Sequence, residues 1–258
     1  MRLFVSNKHQ FAVFTSDLNK LDTQELYHRI IRVLRLNTGD QVIIFDRKQH
    51  VLAELGIITK NNLDLKFINH IAINQELLPE ITVCLPLLKR EALETALYSC
   101  VELGANKIQL LVTAKSEQAG QKYSTGTLER LEKIMIAAAE QSKNFKIPEL
   151  LGPIKLEKLL VQLEFQNKTR AIGNLQPGKF NIPAKIFFDI SGKPILELIS
   201  ELKLSSKIFL LWGPEGDLTS TEKALILKTG FIFSKLTPTV LRASQAVALG
   251  LGLIRILI

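Results

Sequence analysis

Residues 208–246 read IFLLWGPEGDLTSTEKALILKTGFIFSKLTPTVLRASQA, and this stretch decides the fold class. An apolar run over 208–212 stops at Gly213-Pro214-Glu215-Gly216. A helix signal follows at once, then another short apolar run, then a second loop over 236–241. Loops at the carboxyl ends of buried strands are where α/β domains take ligands. Two such loops, close in sequence, predict one pocket built largely from backbone. Gly213 and Gly216 allow a ligand to approach where a Cβ would block it. Pro214 fixes its own φ and stiffens the turn. Thr219 and Glu222 have capping-box spacing, which predicts a helix starting at Ser220. Taken alone, four residues such as GPEG read better as a tight strand-to-helix turn with no ligand.

Outward from this segment, strands and helices alternate. Apolar runs at 81–85, 108–112, 186–189 and 208–212 predict buried strands, and 169–173 is a further candidate. Residues 90–103 and 128–142 have helical spacing. Such alternation predicts an α/β domain with a mainly parallel sheet. Residues 243–258 form an apolar helix in which Gly250 and Gly252 cost stability and allow close packing.

The first part of the chain reads differently. Runs at 41–45 and 51–55 flank a hairpin turn at 46–50, and 63–68 alternates apolar and polar residues. Leu26, Ile30, Val33 and Leu34 recur at helical spacing. A small barrel with one helix fits this mixture. Residues 70–80 have no clear period, which places a boundary there and gives domains 1–72 and 73–258.

The 258 residues are 47% hydrophobic and 22% charged, an ordinary globular balance. Net charge is +8, with a pI near 9.4, which favours a polyanionic partner. Residues 1–75 hold 10 Lys+Arg against 7 Asp+Glu, or +3, and the remainder holds 23 against 18, or +5. Positive charge is thus spread over both parts, as clamping RNA between two domains requires. Cys84 and Cys100 lack C-x-x-C spacing and read as buried thiols in a reducing compartment. The apolar run at 247–258 is too short to span a bilayer and contains Arg255. We expect a cytoplasmic protein with no membrane segment. All four histidines, His9, His28, His50 and His70, precede the α/β part, which argues against a Ser-His-Asp triad confined to it. No H-E-x-x-H zinc motif, phosphate-loop motif or dinucleotide motif occurs at a strand-to-helix turn, and no metal is expected.

Residues 212–219 and 236–246 resemble the last two motifs of the RsmE-like family of SPOUT (trefoil-knot) methyltransferases. There the first motif usually reads I-G-P-E-G-G-F-S and the second L-G-x-R-I-L-R-T-E-T-A. Leu236, Leu241, Arg242 and Ala246 keep the second framework, while Thr237, Thr239 and Ser244 replace its usual Gly, first Arg and Glu. Further matches run along nearly the whole chain. They are Arg2-Leu3-Phe4-Val5, His28 with Val33-Leu34-Arg35-Leu36 and Gly39-Asp40, Glu102-Leu103-Gly104, Ala139-Glu140-Gln141-Ser142 and Ile147-Pro148-Glu149.

The resemblance implies a PUA-like RNA-binding β-barrel before a SPOUT methyltransferase domain, with a C-terminal knot and a homodimer interface in the last helix. It implies transfer of methyl from S-adenosylmethionine to N3 of a uridine in small-subunit ribosomal RNA. The cofactor would lie against the loop of Leu211, Trp212, Gly213, Pro214, Glu215 and Gly216, and that of Leu236, Thr237, Val240 and Leu241. Arg242 is the catalytic candidate, with a phosphate contact or an ion pair to Glu140 or Glu215 as its other readings. Glu140, Gln141, Ser142, Lys143 and Lys146 would edge the RNA site or form an ordinary polar helix end. Lys115 stands where the family often has Arg. Arg2, His28, Arg32 and Arg35 are RNA candidates from the first domain. Arg32 and Arg35, three apart, are expected on one helix face, where solvated surface is the competing reading. A non-catalytic RNA-binding protein that kept the fold is the rival to the enzyme, and a methyltransferase with a shifted RNA target is the third reading.

Overall fold

The computed structural model describes residues 11–60, 62–116, 125–172 and 183–258. The chain divides into two units, residues 1–75 with 136–147, and residues 76–135 with 148–258. The sequence places the break close to the first of these junctions. It gives no hint that 136–147 joins the first unit.

In the first unit, β1 (Phe11–Phe14) runs parallel to β2 (Gln41–Phe45), and β2 pairs antiparallel with β3 (Gln49–Ile58). The far edge of β3 takes β4 (Leu63–Phe67) and the short β5 (Ala72–Ile73). Asp46 makes the β2–β3 turn tight. Its carboxylate accepts from the N–H groups of Leu18, Lys48 and Gln49 at 2.9, 2.7 and 2.8 Å. The hairpin turn therefore closes by residue 49, earlier than the sequence suggests. The alternate residues Val51, Ala53 and Leu55 of β3 face a core shared with Val42, Ile44, Leu26 and Ile30.

The helix expected from the spacing of Leu26, Ile30, Val33 and Leu34 is composite. Asp22 caps α1 (Thr23–Tyr27), which passes into a π-helical stretch, His28–Val33. Arg35 lies beyond it in the left-handed region, at φ 57°. Arg32 and Arg35 thus do not share a helix face, because the helix has ended before the second of them.

The second unit holds a six-stranded parallel sheet. Its members are β6 (Glu80–Pro86), β7 (Lys107–Val112), β8 (Glu149–Lys155), β9 (Ala184–Pro194), β10 (Lys207–Trp212) and β11 (Ile232–Lys235). They lie in the order β11-β9-β10-β6-β7-β8, and every pairing is parallel. The helices are α2 (Arg90–Glu102), α3 (Thr125–Ser142), α4 (Leu156–Ile172), α5 (Ile199–Leu202), α6 (Ser220–Lys228) and α7 (Ala243–Leu257). Residues 136–142 of α3 belong to the first unit. Leu93, Ala96, Leu97, Cys100 and Val101 form the buried stripe of α2, which ends at Leu103-Gly104 with Gly104 at φ 75°. Both cysteines are fully buried, and burial pushes the Cys84 thiol up to about 12.

One expectation fails here, and one strand was missed. Residues 169–172, read as part of a strand, close helix α4, and Gly173 lies outside the described residues. Strand β8 was unassigned from sequence, since ELLGPIK carries a glycine and a proline and is only half-buried. Among the described residues no helix is long and apolar enough to cross a membrane.

Candidate active site

The pocket is built where β9, β10 and β11 end. Strand β10 is apolar after Lys207 because a central strand of a parallel sheet is covered on both faces, and its last residue, Trp212, is 3% exposed. The chain then turns through Gly213 to Leu218. Helix α6 begins at Ser220 under the capping box foreseen from Thr219 and Glu222. Glu222 is itself buried. Besides the Thr219 N–H (2.8 Å) and hydroxyl (2.9 Å), it accepts the Ala114 N–H at 2.8 Å. The cap thereby locks the motif loop to the turn after β7.

The second wall comes from residues 236–242, after β11. Both loops line one open cavity of about 920 Å³. Of the sequence-predicted cofactor residues, Trp212, Gly213, Pro214, Glu215, Leu236, Thr237, Val240 and Leu241 lie on it. Gly216 sits beside it, its carbonyl taking the Lys115 ammonium. Leu211 does not face the cavity: it alternates inward, in the core with Cys84 and Phe187.

A third wall was missed from sequence. In the β9–β11 ladder Phe233 pairs with Phe187, and the next residue, Ser234, pairs with Lys193. Residues 188–192 are passed over and bulge. This bulge brings Phe188, Asp189 and Ile190 to the cavity. Gly192 makes it possible, since a Cβ there would lie 2.2 Å from Ser234 N. Asp189 closes the bulge by accepting the Ser191 N–H at 2.9 Å and hydroxyl at 2.6 Å. Phe188 stacks on Trp212, with centroids 4.9 Å apart. The Trp212 indole N–H donates to the Ala246 carbonyl at 3.1 Å. Gly250, one helical turn further along α7, leaves room for the pair, because a Cβ would meet Trp212 at 3.0 Å and Phe188 at 3.1 Å.

Lys223, on α6, reaches back to the cavity and bonds Asp189 at 2.6 Å and Asp217 at 2.9 Å. Asp217 stands at φ 59°, where the family motif usually has glycine. That departure is the one sequence signal that pointed here. Burial pulls the Lys223 ammonium down, but its bonds and charge attraction to the two aspartates prevail and raise it above its ordinary value.

Arg242 is exposed on the rim of the cavity and caps α7 with its backbone extended. Its guanidinium makes no hydrogen bond or ion pair among the described residues, while its backbone carbonyl accepts the Ala246 N–H at 2.9 Å. Glu215 accepts the Lys89 N–H, and Glu140 accepts from Phe14 N–H and pairs with Arg29. Burial nonetheless raises the Glu140 carboxyl, despite those lowering contacts.

The remaining described RNA candidates belong to the first unit. His28 and Arg32 are exposed on the π-helical stretch, with Arg32 over the Tyr27 ring. Gln141 is exposed, Ser142 bonds back to the Ala138 carbonyl, and Lys143 is left-handed at φ 57°. Lys146 is half-buried in the same segment. Arg2 lies outside the described residues.

Residues 75–255 match the model of an RNA methyltransferase domain, and residues 22–68 match that of an RNA methyltransferase PUA domain. The chain belongs to this RNA methyltransferase family. Its relatives include the ribosomal RNA small subunit methyltransferase E of Bacillus subtilis, 26% identical over 87% of this chain and 84% of that one. The protein of the same name from Synechocystis is 28% identical over 92% of this chain and 73% of its own. A crystal structure of ribosomal RNA small subunit methyltransferase E from Neisseria gonorrhoeae, bound to S-adenosyl methionine, superposes with a TM-score of 0.72. It is 19% identical and covers 96% of this chain and 98% of that one. For an RNA methyltransferase of this family, the fold is thus the expected pair: a PUA-like β-domain and an α/β methyltransferase domain.

Proposed function

We propose that this protein methylates N3 of a uridine in small-subunit ribosomal RNA, using S-adenosylmethionine. The single observation that carries the reading is the cavity shared by the loops after β10 and β11, in a chain of the RNA methyltransferase family. The names of its relatives supply the substrate class.

The residues present fit the cofactor. A cavity of about 920 Å³ suits a ligand of this size. Gly213 contributes backbone to one wall, and the Phe188–Trp212 stack gives the cavity an apolar surface. The bound cofactor would supply an activated methyl group on a sulfonium. The protein's part is to hold, align and exclude water. At N3 the ring proton must leave, and negative charge grows on the flanking carbonyl oxygens. Arg242, on the rim and with its guanidinium unpaired among the described residues, would donate to that charge.

The basic first unit would bind RNA phosphates with the exposed Arg32 and Arg35. Family resemblance supports a homodimer formed through α7, and action on ribosomal RNA suits the cytoplasm.

The test is incubation of the purified protein with labelled S-adenosylmethionine and small ribosomal subunits from a strain lacking the modification, followed by nucleoside analysis. Labelled 3-methyluridine at one site is the expected result. No label, with an active relative working in parallel, overturns this substrate and favours a binding-only or retargeted protein, the readings motivated by Thr239 and Ser244.

A further inference from the structure

We propose that Lys223 is a positioning residue for the cofactor, acting through Asp217 and Asp189 to hold two walls of the pocket together; the inference rests on the cofactor reading above. Lys223 lies outside both motif loops, in the first turns of α6. Its ammonium bonds Asp189 in the β9 bulge and Asp217 in the loop after β10. Each of these three residues lines the cavity.

The need for such a clamp follows from the backbone. A residue with a Cβ is disfavoured at the φ of 59° adopted by Asp217. Aspartate tolerates this region best when its carboxylate is engaged locally. Here Oδ1 accepts the Leu218 N–H at 2.7 Å, while Oδ2 takes Lys223. The Asp217 N–H meanwhile donates to the Pro214 carbonyl at 2.9 Å and closes the turn. The clamp thus does for Asp217 what a glycine does by having no side chain. The second arm holds Asp189, whose carboxylate already closes the bulge that presents Phe188. Without Lys223, two aspartates would face each other across the pocket wall with no cation between them. The loop and the bulge would then be free to separate.

The measurement is cofactor affinity by calorimetry, using S-adenosylmethionine and S-adenosylhomocysteine on the full chain. Lys223→Met is expected to weaken both by about tenfold, and Lys223→Arg to restore most of the loss. Glycine at 217 needs no clamp, so Lys223→Met made in the Asp217→Gly background is expected to cost about threefold or less. Thermal melts of every variant show whether the fold persists. Equal affinity for wild type and Lys223→Met overturns the inference while leaving the cofactor reading intact. So does an equal loss in both backgrounds, which would mark a general packing role. A wild-type protein that binds neither ligand overturns the cofactor reading, and the inference falls with it.

Discussion

Arg242 is the residue proposed to meet the charge that develops during methyl transfer. It stands exposed at the cavity rim with its guanidinium unpaired among the described residues. Arg242→Ala is expected to lower kcat by roughly 10²–10³ while S-adenosylmethionine affinity is retained, because the lost donor serves charge that develops only during transfer. Single-turnover assays with a separate binding measurement check this; an equal loss in binding would assign Arg242 to the cofactor instead. Gly250 makes a different point. Sequence reading foresaw that it permits close packing, and could not name the partner. The partner is the Phe188–Trp212 stack. Gly250→Leu is expected to destabilise by about 1–3 kcal/mol through overpacking, even though leucine favours helix. Chemical denaturation measures it, and unchanged stability would refute the close fit. Leu211 shows a limit of pattern reading. In a strand buried on both faces every residue is apolar, so nothing in the sequence tells which side chains face the pocket.

Among elements, α6 is the best anticipated. Its capping box is local, set by residues three apart, and such signals survive in the sequence. Its long-range arm was invisible: Glu222 also holds the Ala114 N–H, 108 residues away. Glu222→Ala leaves that N–H and the Thr219 N–H without their acceptor, and is expected to cost about 2–4 kcal/mol. Hydrogen exchange at Ala114 and Thr219, faster in the variant, is the site-specific check. Helix α7 is anchored from its other end. The Arg255 guanidinium donates to the carbonyls of Gly104 and Pro79 and to the Asn106 side chain, fixing α7 beside the end of α2. Burial without a carboxylate partner among the described residues brings it down to about 10, still protonated at neutral pH. Strand β9 was recognised only in part, because its bulge depends on the approach of β11 across Gly192.

At the scale of the whole molecule, acid stability joins both units. Burial pushes Asp46 up, but the three N–H groups it accepts outweigh this and hold it below its ordinary value of 3.8. Asp189 behaves likewise through Lys223 and Ser191. A bond to Lys207 lowers Glu80, against the effect of burial. With folded values depressed, the unfolded chain binds more protons in acid, so these groups stabilise the fold above about pH 4 and lose that contribution as pH falls further. Denaturation at pH 7 and pH 3 is expected to show the loss, and a smaller one in Asp189→Asn. Assembly belongs to this scale too. Ile256 on α7 is 81% exposed in the single chain. If α7 forms the dimer interface, Ile256→Asp shifts sedimentation from dimer to monomer; a wild-type monomer would overturn the dimer. By itself the sequence determined the two-part organisation, the parallel α/β class, the capped helix and the two loops of the pocket. Each of these is written in periodicity or in spacings of a few residues. The tertiary structure alone decided the strand order, the allotment of residues 136–147 to the first unit, the bulge at 188–192 and the Asp189–Lys223–Asp217 clamp. Those features depend on groups tens of residues apart meeting in space, and a one-dimensional pattern carries no record of such meetings.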